Sequence, residues 1–467
     1  MVFAPHTPAE IESMLRTIGA GTLENLFEDI PAQERQADFS ALPAARSEME
    51  VAAECRRLAH SNLSVHHCRS FLGAGAYEHF IPTAVDTILR RGEFFTAYTP
   101  YQAEASQGTL QAIYEYQSMI CALTGLDVAN ASLYDGASAA AEAVVLAMRQ
   151  TGRTGVALPR GLHPAYHRVI ETYTRHLGVE WVELPFAGGS TDGGALSRLS
   201  GKPDLAAVVV AHPNALGCLE PAEAIARWAH ERGAVCIAVV NPISLAVLRP
   251  PGEWGADVAV GDGQPMGIPP SFGGPYVGFM SVRKALARRM PGRLVGRTLD
   301  RNGKVGLVLT LQTREQHIRR ERATSNICSN EALCALAVTV YLSLVGKEGL
   351  RKVALLNLDR SHYLLDRLKS VEGVAAAWEQ PFFNEFVVRL PCYADAVCRR
   401  MRERGFLAGW PLSRWSDEWD DRLLLVCATE TKSKQDCDDY VQALAETCSA
   451  EQPGGQGRKS PKRAKGK

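Results

Sequence analysis

Between residues 156 and 282 short apolar runs recur, each followed by a loop and most then by a helical stretch. Leu205–Ala211 reads LAAVVVA and Val235–Val240 reads VCIAVV. No polar side chain interrupts either run, so neither face of such a strand can be turned to water. Strands buried on both faces need helices above and below, and Pro164–Arg175 and Pro221–Arg232 read as helices. Val156–Leu158, Trp181–Leu184, Val258–Val260 and Tyr276–Val282 extend the strand set. The chain is therefore expected to be α/β, with a mostly parallel sheet in a large domain over residues 71–325.

The flanks read differently. Residues 1–70 form a helical arm: Thr7-Pro8-Ala9-Glu10 is a capping box with Pro at the first helical position, and residues 47–60 carry an apolar stripe of Met49, Ala52, Ala53 and Leu58. An arm this small needs a surface to pack on, its own or a partner's. Asn326–Leu344 and Lys347–Lys369 read as helices leading into a small α+β domain that completes residues 326–449. Its strands are Phe386–Leu390 and Leu423–Val426, and its helices Ala394–Arg404 and Ser433–Glu446. Residues 450–467 carry six basic side chains and no apolar residue but alanine, the composition of a disordered solvated tail.

Charge and cysteine usage narrow the classes. Lys+Arg and Asp+Glu balance at 51 each, so nothing in the net charge favours nucleic acid or an anionic membrane. No apolar run reaches the roughly 20 residues of a spanning helix. The first residues show neither a basic start nor an apolar core of a secretory signal. Twelve cysteines include no CxxC pair, and the closest are Cys328/Cys334 and Cys392/Cys398. Buried reduced thiols, no metal site and a cytoplasmic location are the expectation.

Candidate chemistry lies at strand ends. Asp257–Gly278, DVAVGDGQPMGIPPSFGGPYVG, is a strand followed by a glycine- and proline-rich loop without a lysine; Lys202 and Lys284 are the nearest on either side. Gly136-Ala137-Ser138 opens an alanine-rich helix whose free N–H groups suit an anion. Tyr98-Thr99-Pro100-Tyr101-Gln102 places two phenols and an amide around a proline, either as a surface loop with tucked-in aromatics or as a binding element. Arg314, His317, Arg319, Arg320 and Arg322 form a basic run, open to reading as a solvated face, an anion site or an interface.

Longer words in the chain carry a resemblance. FLGAGAYEHFIP, EFFTAYTPYQAEASQGTLQAIYEYQSMI, ANASLYDGASAAAEA, GDGQPMGIPPSFGGPYVGFM, MPGRLVG and LQTREQHIRRERATSNICSNEAL resemble the glycine decarboxylase P-protein family of the glycine cleavage system. The similarity spans residues 5 to about 350 and lies nearest the α half of the two-chain bacterial form. The resemblance implies an aminotransferase-like fold (fold-type I) and pyridoxal phosphate as cofactor. It also implies decarboxylation of glycine, with transfer of the aminomethyl group to the lipoyl arm of H-protein.

Position by position, the resemblance puts Gly136, Ala137 and Ser138 at the phosphate cup and His163 at the ring-stacking position. The acid that faces the pyridine nitrogen is Asn241 here, and the Schiff-base lysine is Gln264-Pro265. An amide and an imino acid cannot form the covalent bond. The resemblance therefore implies that no covalent catalyst resides in this chain. The cofactor would be held mainly by a paralogous partner, subunit 2 (the β subunit), in a heterotetramer, with Tyr98, Tyr101 and Gln102 reaching the partner's pocket. The alternatives are a scaffold that contributes nothing to that pocket and an independent pyridoxal-phosphate enzyme using another lysine, such as Lys284.

Overall fold

Leu205–Ala211 is a strand in which every residue is buried. It lies in a seven-stranded sheet made of β1 (Val128–Ala129), β2 (Gly155–Leu158), β3 (Glu180–Glu183), β4 (Leu205–Ala211), β5 (Val235–Val239), β6 (Val258–Asp262) and β7 (Gly278–Val282), in the order β1-β7-β6-β5-β4-β2-β3. Strands β2 to β6 run parallel. Strand β7 is antiparallel to both neighbours. Residues 263–277, which join β6 to β7, hold only one 3-10 turn and no crossover helix, so the chain returns alongside in the opposite sense.

The computed structural model describes residues 6–35, 39–65, 67–199 and 204–451. The basic tail beyond Glu451 lies outside them. Named helices are α1 (Pro8–Ile18), α2 (Glu48–Ala59), α3 (Gln107–Thr124), α4 (Gly136–Thr151), α5 (Pro164–Thr174), α6 (Ala222–Glu231), α7 (Ala332–Lys369), α8 (Ala394–Glu403) and α9 (Lys434–Glu451). Along β4 the side chains alternate between two cores. Val208 and Val210 join Tyr116, Ile225, Val338 and Tyr341 from α3, α6 and α7. Ala207 and Val209 join Val144, Ala147 and Ile170 from α4 and α5. Each fully buried valine contributes roughly 1.5–3 kcal/mol of gross burial energy, so the sheet is anchored on both faces.

By contacts the chain divides into two units, one ending at Ser64 and one beginning at Val65. The division falls ahead of residue 70 because Arg69–Ser70 pairs in parallel with Phe406–Leu407. In the first unit α1 and α2 each begin with a capping box, Thr7 with Glu10 and Ser47 with Glu50. In the second unit a four-stranded antiparallel sheet is built from β8 (Ala375–Ala376), β9 (Glu385–Arg389), β10 (Trp410–Pro411) and β11 (Leu423–Cys427), in the order β8-β9-β11-β10. Met401 of α8 and Tyr440 and Leu444 of α9 pack on Phe386, Val388, Leu424 and Val426.

Two local features depart from the sequence reading. The first of the two helices expected either side of residue 346 begins at Ala332 rather than Asn326; within α7 the two meet, as expected, at a kink where Gly346 turns to φ 57°, ψ −173°. By length and composition α7 is apolar enough to cross a membrane. Its Ala335, Ala337, Val338, Tyr341, Leu350 and Ala354 instead belong to the main core. A hairpin of Leu294–Leu299 with Val305–Thr310 was not expected, although Asn302-Gly303 is a turn signal; Gly303 adopts φ 76°.

Candidate functional site

The carboxyl ends of β4, β5 and β6 deliver His212-Pro213-Asn214, Asn241 and Asp262-Gly263-Gln264 to one edge of the sheet. The start of α5 adds His163 and Tyr166, and the loop before residue 80 adds Gly75 and Tyr77. Together His163, Asn241, Pro265, Asp262, Tyr77 and Tyr166 line one cavity of about 70 Å³. Sequence reasoning named the first three of these. It missed Asp262, Tyr77 and Tyr166, which come from three segments far apart in the chain.

Gln264 is buried and its amide is fully engaged. Tyr77 N donates to Oε1 at 2.9 Å, and Nε2 donates to Tyr77 O at 2.8 Å and to Ile268 O at 2.7 Å. Its own backbone N–H donates to Asp262 Oδ1 at 2.9 Å. Asn241 is engaged with itself: Ile243 N donates to Oδ1 at 3.0 Å, an Asx turn closing the strand end. His163 caps α5, accepting from Ala165 N at 3.1 Å through Nδ1, so Nε2 carries the proton that meets Ala74 O at 2.9 Å. Burial holds this imidazole's pKa below its ordinary value, which keeps the ring neutral. Trp415 packs edge-on against it at 5.0 Å.

The phosphate-cup position is closed. Ser138 N donates to Asp135 Oδ1 at 2.7 Å, and Gly136 N donates to Asp262 Oδ2 at 3.1 Å. A Cβ on Gly136 would collide with Tyr166 Oη and with the backbone at Gly261 and Asp262, and Ala137 beside it is half-buried. Gly136-Ala137-Ser138 thus opens a helix whose positive end is met by two carboxylates of the same chain, and an anion there would face like charge. Burial, with Asp135 adding repulsion, raises Asp262 to about 6.

These residues do not fit pyridoxal phosphate. A cavity of about 70 Å³ has room for a few waters. Ligand sites of cofactor size span about 300–1,000 Å³. Among the described residues no lysine lines it. Lys284 is excluded by register: Val282 of β7 pairs with Val258 at the start of β6, whereas Asp262 pairs with Gly278. Lys284 therefore emerges at the opposite edge of the sheet from the cavity. Lys432 is buried but donates to Glu78 Oε2 at 2.7 Å.

The loop behind the cavity is held by a second buried acid. Ala74 N donates to Glu385 Oε1 at 2.6 Å and the Tyr77 hydroxyl donates to Oε2 at 2.7 Å. Burial raises Glu385 to about 7. Tyr98, Tyr101 and Gln102 lie apart from the cavity and are exposed, Tyr98 at 83% and Tyr101 at 56%. Of the basic run, Arg314 is turned inward, capping Met290 O, Gly292 O and Leu311 O. His317 pairs with Glu315 and Arg322 with Glu321, while Arg319 and Arg320 are exposed. No group of metal-ligating side chains occurs among the described residues.

A family model described as "Glycine cleavage system P-protein" matches residues 1–444. Probable glycine dehydrogenase (decarboxylating) subunit 1 of Desulfitobacterium hafniense is 49% identical over 446 residues, covering 96% of this chain and 100% of that protein. The protein of the same name from Methylococcus capsulatus is 50% identical over 454 residues, covering 96% and 99%. A crystal structure of glycine decarboxylase (P-protein) of the glycine cleavage system, in inhibitor-bound form, superposes with a TM-score of 0.87 at 46% identity, covering 96% of this chain and 100% of that one. Alanine–glyoxylate aminotransferase from Nostoc sp., at 16% identity, TM-score 0.57 and coverage of 82% and 96%, shares the fold alone. The chain belongs to the glycine cleavage system P-protein family.

Proposed function

We propose that this chain is subunit 1 of a two-chain glycine dehydrogenase (decarboxylating), working in the cytoplasm with a lysine-bearing subunit 2. Pyridoxal phosphate is the cofactor of the complex and is held by that partner, where it supplies the electron sink for loss of the glycine carboxylate. Lipoylated H-protein accepts the aminomethyl group. The reading rests above all on Gln264, a buried amide with all three of its hydrogen bonds spent on Tyr77 and Ile268 where a cofactor lysine would stand.

This chain's own contribution is the exposed stretch Tyr98-Thr99-Pro100-Tyr101-Gln102. Pro100 is buried and anchors it, and Tyr101 N donates to Thr99 O at 2.8 Å, which stiffens the turn. Two phenols and an amide held outward can hydrogen-bond a carboxylate and shield a partner's pocket from water.

Two measurements test this. The chain purified alone and incubated with pyridoxal phosphate is expected to retain none after borohydride treatment; a cofactor fixed to one of its peptides overturns the proposal. Reconstituted with subunit 2, it is expected to support glycine–bicarbonate exchange, with Tyr98→Phe and Tyr101→Phe lowering the rate at subsaturating glycine by about tenfold. Unchanged exchange in both variants would reduce the chain to a scaffold.

A further inference from the structure

Arg293 is the one arginine among the described residues that is buried, at 4% exposure. A guanidinium is a permanent cation, and burying one without an anion is costly. Among the described residues none is provided. Nη1 donates to Ser329 Oγ at 2.9 Å, and Nη2 donates to Cys328 O at 2.9 Å and to the Tyr101 hydroxyl at 3.3 Å. All three acceptors are neutral. Nε is buried with no partner. Lys432 and Glu430, by contrast, each have an ionisable side chain within reach, Glu78 for the first and His79 for the second.

The cation's way out is through Tyr101. Its ring lies 5.6 Å from the Arg293 guanidinium carbon, and that residue is 56% exposed. Because the phenol oxygen accepts from Nη2, the phenol's own proton is free to point away from Arg293, outward from the chain. A buried positive charge behind an outward O–H donor is an arrangement complementary to an anion with two acceptor oxygens.

We infer that Arg293 is a positioning residue that fixes Tyr101 and biases its hydroxyl toward a carboxylate brought up when the complex assembles. The inference rests on the reading of Tyr101 as a contributor to the partner's pocket. That carboxylate belongs either to the amino-acid substrate or to an acidic side chain of the partner subunit. Ser329 and Cys328 hold the guanidinium from behind, so the charge cannot swing away from the phenol.

The test uses the reconstituted complex with Tyr101→Phe, Arg293→Lys and Arg293→Gln, reading kcat and KM for glycine, glycine affinity by calorimetry, subunit association by sedimentation, and Tm. If the carboxylate is the substrate's, Tyr101→Phe and Arg293→Gln each raise KM for glycine by about tenfold with a smaller change in kcat, Arg293→Lys recovers most of the loss, and added guanidinium ion partly rescues Arg293→Gln. If it is the partner's, KM is unchanged and the same two variants weaken association by about tenfold. Should Arg293→Gln fail to fold, Arg293→Ala with guanidinium rescue and Arg293→Lys carry the test. A raised KM in Tyr101→Phe, with the Arg293 variants altering neither KM nor association, overturns the inference and leaves the Tyr101 reading standing. If Tyr101→Phe alters neither quantity, the Tyr101 reading fails and the inference with it.

Discussion

Gln264 and Tyr77 are paired through both polar atoms of the amide, Tyr77 N to Oε1 at 2.9 Å and Nε2 to Tyr77 O at 2.8 Å. A glutamine amide offers one donor edge and one acceptor edge in a plane, as a peptide group does, so it can act as the missing neighbour of an unpaired backbone. The same device recurs twice on α3. Gln107 pairs with the backbone of Leu307, and Gln117 with that of Val295, which together clip the 294–310 hairpin to the helix. At Gln264 the pairing sits beside the cavity that Pro265 lines.

Replacing Gln264 with leucine keeps the volume and removes three bonds at once. Tyr77 N, Tyr77 O and Ile268 O would be left unsatisfied in a buried site, at about 1–3 kcal/mol each. Urea unfolding should show a loss of about 3–5 kcal/mol after partial relaxation. Gln264→Lys should also lose stability and gain no cofactor, because the cavity and the closed helix end stay as they are. Wild-type stability in the leucine variant would mean that the loop holding Tyr77 is fastened elsewhere.

Glu385 makes a pH prediction. Its pKa is raised from 4.5 to about 7 by burial, so the folded protein keeps this proton over a range where the unfolded chain has released it. Stability present below pH 4.5 is therefore lost as pH rises to about 7, by roughly 3 kcal/mol for a shift of this size. Asp262 and Glu142, raised to about 6 and 7, act in the same direction. His212, lowered by burial to about 4, acts oppositely, costing stability as pH falls from 6.5 to about 4. Comparing Glu385→Gln with wild type isolates the one group: their difference in unfolding free energy should move in favour of the variant between pH 4.5 and 7. A pH-independent difference would show that Glu385 titrates as it does in water.

The sheet and the cavity were legible to different degrees, for different reasons. Leu205–Ala211 and Val235–Val239 carry their burial in their own composition, so a strand between two helical layers follows from local residues alone. The hairpin at 294–310 does not, because its outer residues Arg297, Thr298 and Leu299 are exposed and its pairing depends on Gln107 and Gln117, far earlier in the chain. At the cavity, His163, Asn241 and Pro265 were reached by comparing positions with a family pattern. Glu385 and Tyr77 were invisible to that comparison because their meeting needs the 72–81 loop and β9 in one place. Gly136-Ala137-Ser138 reads as an open anion site in sequence. Only the fold reveals that Asp262 fills it.

Gly217 tests how the two sheets of the second unit are joined. It has φ 86°, and a Cβ there would press into Glu385 O. The segment pairs with the strand entering β9, with Leu219 N donating to Pro381 O at 2.8 Å and a bridge between Cys218 and Phe382. Gly217→Ala combines a left-handed backbone cost with a clash against main chain that no rotamer can relieve, and should destabilise by about 3 kcal/mol. Gly188→Ala is the control: it shares a positive φ of 61°, with only a side-chain nitrogen at 3.5 Å, and should lose about 1 kcal/mol. Equal losses in a thermal melt would show that the close approach of the two segments carries no weight.

Asp135 separates the capping role of a carboxylate from its charge. Its Oδ1 accepts from Ser138 N at 2.7 Å, and its charge is one of the causes that raise Asp262. Asp135→Ala loses the cap and should cost about 1 kcal/mol. Asp135→Asn keeps an oxygen for Ser138 N and should cost little in capping, while removing the repulsion felt by Asp262. The pKa of Asp262 should then fall from about 6 toward its ordinary value, although burial keeps it elevated. Stability lost as pH rises toward 6 would be smaller in the asparagine variant, and the gain over wild type should appear above pH 6 and vanish below about 4. If the difference between the asparagine variant and wild type is the same at every pH, the two carboxylates do not interact.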